Sequence, residues 1–201
     1  MAPNSAIAFR LLSNALVERA AEITPSGDFG FHMNDALRDE IVAEINTAFA
    51  KVRRGSTTLH EAEVIDNCGS DKERRTARRQ DTELCWQDVP AAVIQAHPLV
   101  FSFLCSESFR YYIAAYMVWS LRHYRERDLA SLDFTIYALA PNTNKPPDRW
   151  KLERFSLFSP PQARAVQRFL RFMVEHREGG ADSSQAELAL NAYWNEAASV
   201  R

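Results

Sequence analysis

The sequence predicts a mainly α, single globular domain of about seven helices, with one short β-hairpin near 132–158 as the alternative for its least helical stretch. Three observations carry this. Apolar side chains recur at helical spacing over several long stretches. Capping-box signatures stand directly before three of them. Six glycines and nine prolines in 201 residues leave room only for short connections.

Taken in order, residues 5–23 read as a first amphipathic helix ended by "TPSGDFGF", and residues 1–33 as an N-terminal helix and loop peripheral to the rest. Asn34 is placed to cap a stronger helix, in which Leu37, Ile41, Ile45, Phe49 and Val52 share a face. Thr58 and Glu61 have capping-box spacing before "LHEAEVID", and Ser70 and Glu73 repeat it before "DKERRTARRQDTELCW". That second helix is expected to run over 71–86, with Ala77, Asp81 and Leu84 on one face. Residues 89–106 carry no charge. Pro90, Gln95, His97 and Pro98 interrupt them, so they read as buried core rather than a membrane span.

Ser106 then caps a helix running to about Glu126. It is apolar on nearly every side, which marks it as central. In "LDFTIYALA", Phe134, Thr135, Ile136 and Tyr137 favour strand, pairing with "RFSLF"; a short helix is the other reading. Ser159, Pro160 and Gln162 make a clear helix start. Residues 179–201 hold a C-terminal helix.

The net charge of −2 gives no global pull toward nucleic acid or a membrane surface. Three cysteines with no CxxC spacing read as reduced thiols in a cytoplasmic protein, and the first residues lack the pattern of a signal peptide.

Candidate chemistry gathers in a few places. A helix over 71–86 turns the Asp81 carboxylate inward, where it needs a cation or a donor. Arg78 at i−3 supplies part of this. Arg110, alone among the aromatic residues of "FRYYIAAYMVWSL", is the expected partner in a bidentate pair. That pair reads first as a structural tie and second as the floor of a ligand site. His60, Glu61, Glu63 and Asp66 form a second cluster, able in principle to set a histidine base against a carboxylate or to hold a metal with help from His32, His97 or His123. A solvated acidic turn is the plainer account.

"KERRTARR" has five basic residues in eight, but Asp71, Glu73 and Asp81 offset them and no aromatic side chain is interleaved for base stacking. Arg164, Arg168 and Arg171 make a second basic stripe, read as a solvated face. Cys105, at a helix N-terminus, is the cysteine whose thiol would be most acidic, although Cys68, Cys85 and Cys105 all read as ordinary thiols. HExxH, GxSxG, P-loop and GxGxxG motifs are absent.

Four blocks, "LHEAEVID", "ARRQDTELCWQDVP", "LVFSFLCSESFRYYIAAYMVWSL" and "RFSLFSPPQARAVQRFL", together resemble a bacterial domain family of unknown function over roughly residues 40–172. The resemblance implies no activity, cofactor or site residue. It includes one departure: the family has a proline near the position of Ala114, so the kink that proline would impose is not expected here.

The expectation is a small cytoplasmic bacterial protein that works without catalysis by binding another protein, in an adaptor- or immunity-like role. No cofactor, metal or membrane is expected, and nucleic acid is disfavoured. The alternative is a small-ligand-binding protein or enzyme. Its catalytic candidates are His60, Asp66 and Asp81, with Arg78, Arg110 and Tyr112 holding an anionic ligand.

Overall fold

A computed structural model describes residues 27–199 apart from 128, 142–148 and 177–179, with side chains from Met33 onward. The helix expected over 5–23 therefore lies outside the described residues, as does the side chain of His32. The chain divides into two units, residues 1–37 and 38–201. The description below concerns the second, apart from the first turns of α1.

The fold is mainly α, with nine helices of six residues or more and no strand among the described residues. They are α1 (Gly27–Phe49), α2 (Leu59–Asp66), α3 (Asp71–Arg78), α4 (Ala91–Ala96), α5 (Ser106–His123), α6 (Ala130–Leu139), α7 (Arg149–Phe155), α8 (Pro160–Glu175) and α9 (Ser183–Ala189). A π turn, Leu190–Trp194, continues α9. None of these helices is long and apolar enough to cross a membrane.

α5 is the axis. Every side chain from Tyr111 through Leu121 is buried. Ala114 is fully enclosed and the helix runs through it without a break, as alanine in place of proline requires. The cap of α5 is Cys105, one residue before the expected Ser106. The uncharged stretch ahead of α5 is core: Val89, Ile94, Val100, Phe101 and Leu104 are all buried.

Buried donors tie the layers together. Trp86 Nε1 donates to the Phe49 carbonyl at 3.1 Å, Tyr116 Oη to that of His97 at 2.8 Å, and Trp194 Nε1 to that of Leu139 at 2.7 Å. Gly55 is needed because the chain passes α5 so closely: a Cβ there would lie 2.7 Å from the Ser108 backbone nitrogen.

Four further local expectations change. α1 begins at Gly27, so Asn34 lies inside the helix rather than at its cap. The hairpin near 132–158 is absent: 130–139 is helical, with Leu132, Thr135, Ile136 and Leu139 buried at helical spacing. Burial of that face against α5 and α9 overrides the strand preference of Thr135 and Ile136. The helix expected over 71–86 ends at Arg78. Thr58 occupies its cap position, but its hydroxyl accepts nothing from the helix. The boxes at Ser70–Glu73 and Ser159–Gln162 form as predicted.

Candidate functional site

α2 and α3 pack against each other, and a buried carboxylate holds them. Glu61 accepts from Arg78 at 2.9 Å and 2.6 Å, a bidentate pair, and from Arg74 at 3.3 Å. Burial alone would push the Glu61 carboxyl up. The Arg78 and Arg74 guanidinium groups outweigh this and hold it below the usual range. Arg78 thus pairs with Glu61, and no contact of it with Asp81 is seen among the described residues.

Past Arg78 the chain leaves the helix, and burial alternates residue by residue. Asp81 turns in, Thr82 out, Glu83 in, Leu84 out. A period of two is the mark of extended backbone. Each inward carboxylate meets donors from elsewhere. Asp81 Oδ1 lies 2.7 Å from His60 Nδ1, and its other oxygen accepts the His60 backbone N–H at 3.2 Å. Glu83 Oε1 accepts from Tyr112 Oη at 2.8 Å and from Arg54 at 3.0 Å. The same Arg54 nitrogen donates to the Asp81 carbonyl at 2.8 Å. Trp86, buried, fixes the far end.

The segment 79–85 is therefore clamped to Arg54 in the segment after α1, to the first turn of α2 and to the second turn of α5. At its tip Leu84 is 96% exposed. The sequence reading placed Leu84 on a buried stripe beside Asp81. The inward turn of Asp81 is correct, but the helix assumed for it is not.

The expected Asp81–Arg110 pair does not form. Arg110 Nε donates to Gln162 Oε1 at 2.9 Å, and that oxygen also accepts the Ser159 N–H at 3.1 Å. Gln162 Nε2 in turn donates to the Ala48 carbonyl at 3.0 Å. The cap of α8 thus joins α5 and α1 through a neutral amide. Burial lowers the Arg110 guanidinium from its ordinary value, and no carboxylate pairs with it among the described residues.

His97, expected only as a distant contributor, stands beside His60 with ring centroids 4.8 Å apart, edge to face. Its Nδ1 lies 3.3 Å from Glu63. Burial pulls the His97 imidazole below its ordinary value, against the nearby Glu63 carboxylate. Asp66 is exposed at the end of α2 and takes no part.

The cluster thus unites His60, Asp81 and Tyr112 but leaves out Asp66, Arg78 and Arg110. Arg54 and Glu83 belong to it and escaped the sequence reading; only the inward–outward alternation after Arg78 could have pointed to Glu83. Chemically, Asp81 fixes the tautomer of His60 and directs its basic lone pair to Nε2. No group of three or more His, Cys, Asp or Glu side chains is arranged to hold a metal among the described residues.

Cys105 packs against Gly55, where a Cβ would lie 2.8 Å from its Sγ. Burial would raise its thiol, but hydrogen bonds with Ser108 and Ser56, and from the Ser108 and Thr57 backbone, bring it down to about 7. Cys85 is the opposite case: its Sγ lies 2.9 Å from the Asp88 carboxylate, which pushes the thiol up.

Residues 37–198 match the model of a family of unknown function, DUF6714, and the chain belongs to that family. No curated protein and no solved structure matches it.

Two outcomes are expected. Asp81→Ala orphans the His60 ring and backbone N–H and should cost about 2–4 kcal/mol in urea unfolding, whereas Arg110→Ala should cost about 1–2 kcal/mol. The reverse order would contradict these partner assignments. Iodoacetamide should alkylate Cys105 at a rate that rises with pH to half its maximum near 7, because the thiolate is the nucleophile. Peptide mapping after timed quenching should find Cys85 slower at that pH.

Proposed function

We propose that this member of the family works by binding another protein, with the clamped 79–85 segment presenting Leu84 to a socket on the partner. The observation that carries this is the contrast within four residues. Two carboxylates are drawn inward and satisfied, while the leucine between them and Trp86 is left almost wholly in water. A single exposed leucine is ordinary. One held at the tip of a segment fixed at three points has already lost the conformational freedom that binding would otherwise cost it.

The partner's chemistry follows from the neighbours. α3 exposes Lys72 and Arg75 alongside the Asp71 and Glu73 of its first turn, and Arg79 is exposed at the start of the segment. An apolar socket rimmed by aspartate and glutamate fits this surface, with the rim setting the association rate and Leu84 the lifetime. An adaptor- or immunity-like role in a bacterial cytoplasm is consistent with three free thiols among the described residues.

A second reading rests on the His60–Asp81 contact at 2.7 Å, which is the geometry of an oriented general base. It would make His60 the proton acceptor for a small substrate. Chromogenic esters and phosphate monoesters test it. Turnover that falls at least about 100-fold in His60→Gln supports it, and absent or unchanged turnover removes it.

For the leading reading, wild type and Leu84→Asp are compared as baits in native lysate, with mass spectrometry and melting curves. Wild type should recover one partner in near-stoichiometric amount, less at high salt. Leu84→Asp should melt as wild type does and lose that partner at least about tenfold. Equal recovery by both, or none by wild type, would contradict the proposal.

A further inference from the structure

A cavity of about 200 Å³ opens between α6, α7 and the turn that precedes α5, and it shares no lining residue with the Leu84 segment. Its walls are mostly apolar, with Leu99, Phe101, Phe134 and Trp150 among them. Its charged lining residues are Lys151 and Arg154, with no carboxylate among the described residues. Lys151 Nζ is engaged by the carbonyls of Tyr137 and Ala140, at 3.0 Å and 2.8 Å.

Arg154 is the unusual group. It is only 8% exposed. It donates to the carbonyls of Phe101, at 2.6 Å, and Leu104. Its guanidinium carbon lies 4.5 Å from the Trp150 ring centroid and 5.3 Å from that of Phe109. Two carbonyls and two aromatic faces orient the fork but carry no net charge, and no carboxylate pairs with it among the described residues. A buried cation normally has an anion beside it. Cys105 is the one acidic group in its electrostatic surroundings among the described residues, and it is not on the cavity wall.

We infer that this cavity is a binding site for a small aromatic carboxylate, the ring lying among Leu99, Phe134 and Trp150 and the carboxylate meeting Arg154. Size supports one ring and a short acid arm. An apolar cavity of about 150 Å³ accepts benzene, and drug-sized pockets begin near 300 Å³. Charge supports a carboxylate over a neutral polar group, because a planar fork meets it with two parallel hydrogen bonds.

The test uses the full chain and isothermal titration with benzoate, phenylacetate and 3-phenylpropionate, beside phenylacetamide as the uncharged counterpart. At least one acid should bind one to one with Kd of about 1 mM or tighter, and phenylacetamide at least about tenfold more weakly. Two variants locate the site. Ala138→Leu fills the cavity from its wall and should abolish binding. Arg154→Gln retains an amide donor and should weaken the acids to the level of the amide. Folding of each is checked by its melting curve. No saturable binding by any of the three acids, equal binding of acid and amide, or binding indifferent to Ala138→Leu would overturn the inference.

Discussion

The inward turn of two carboxylates, Asp81 and Glu83, is the constraint on which the rest of this region depends. Neither sits in a helix, and each is held by groups from a different part of the chain: His60 from α2, Tyr112 from α5, and Arg54 from the segment after α1. Buried carboxylates are tolerable only where donors surround them, so three elements must arrive in register for this short segment to close. Once closed, the segment fixes its own geometry and that of the elements it touches. Asp81 orients the His60 ring, Glu83 occupies the Tyr112 hydroxyl, and Leu84 is left outside.

Glu61, the residue after His60, repeats the device with Arg74 and Arg78 as its cations. The two clusters divide the polar groups of α2 and α3 between them. This division explains why the basic run "KERRTARR" is not a free cationic stripe. Arg74 and Arg78 are committed to Glu61, while Lys72, Arg75 and Arg79 face solvent.

Much of the fold was legible in the sequence, because local and tertiary signals agree in most helices. Ser70–Glu73 and Ser159–Gln162 mark real starts, and the all-round apolarity of 106–123 marks the real core helix. The stretch 132–140 stays open between strand and helix in the sequence because β-branched and aromatic residues bias a short segment toward strand, whereas the spacing of Leu132, Ile136 and Leu139 fits the helix that forms. The site was legible in part. Asp81 does turn inward, but its partner could not be chosen by charge alone. Arg110, the obvious cation, is taken by Gln162, and a histidine in the first turn of another helix takes its place. Glu83 and Arg54 were hidden because a helix assumed past Arg78 turns a period of two into noise. Arg154 was hidden for a different reason: nothing in "RWKLERF" says that its guanidinium ends among two carbonyls and two rings.

The central claim is that Asp81 and His60 are energetically coupled across the α2–loop contact. A double-mutant cycle with His60→Ala and Asp81→Ala, read by urea unfolding, measures this directly. A coupling on the order of 2 kcal/mol is expected, since either single change already breaks the bond the other would break. Additive costs, within about 0.5 kcal/mol, would contradict it.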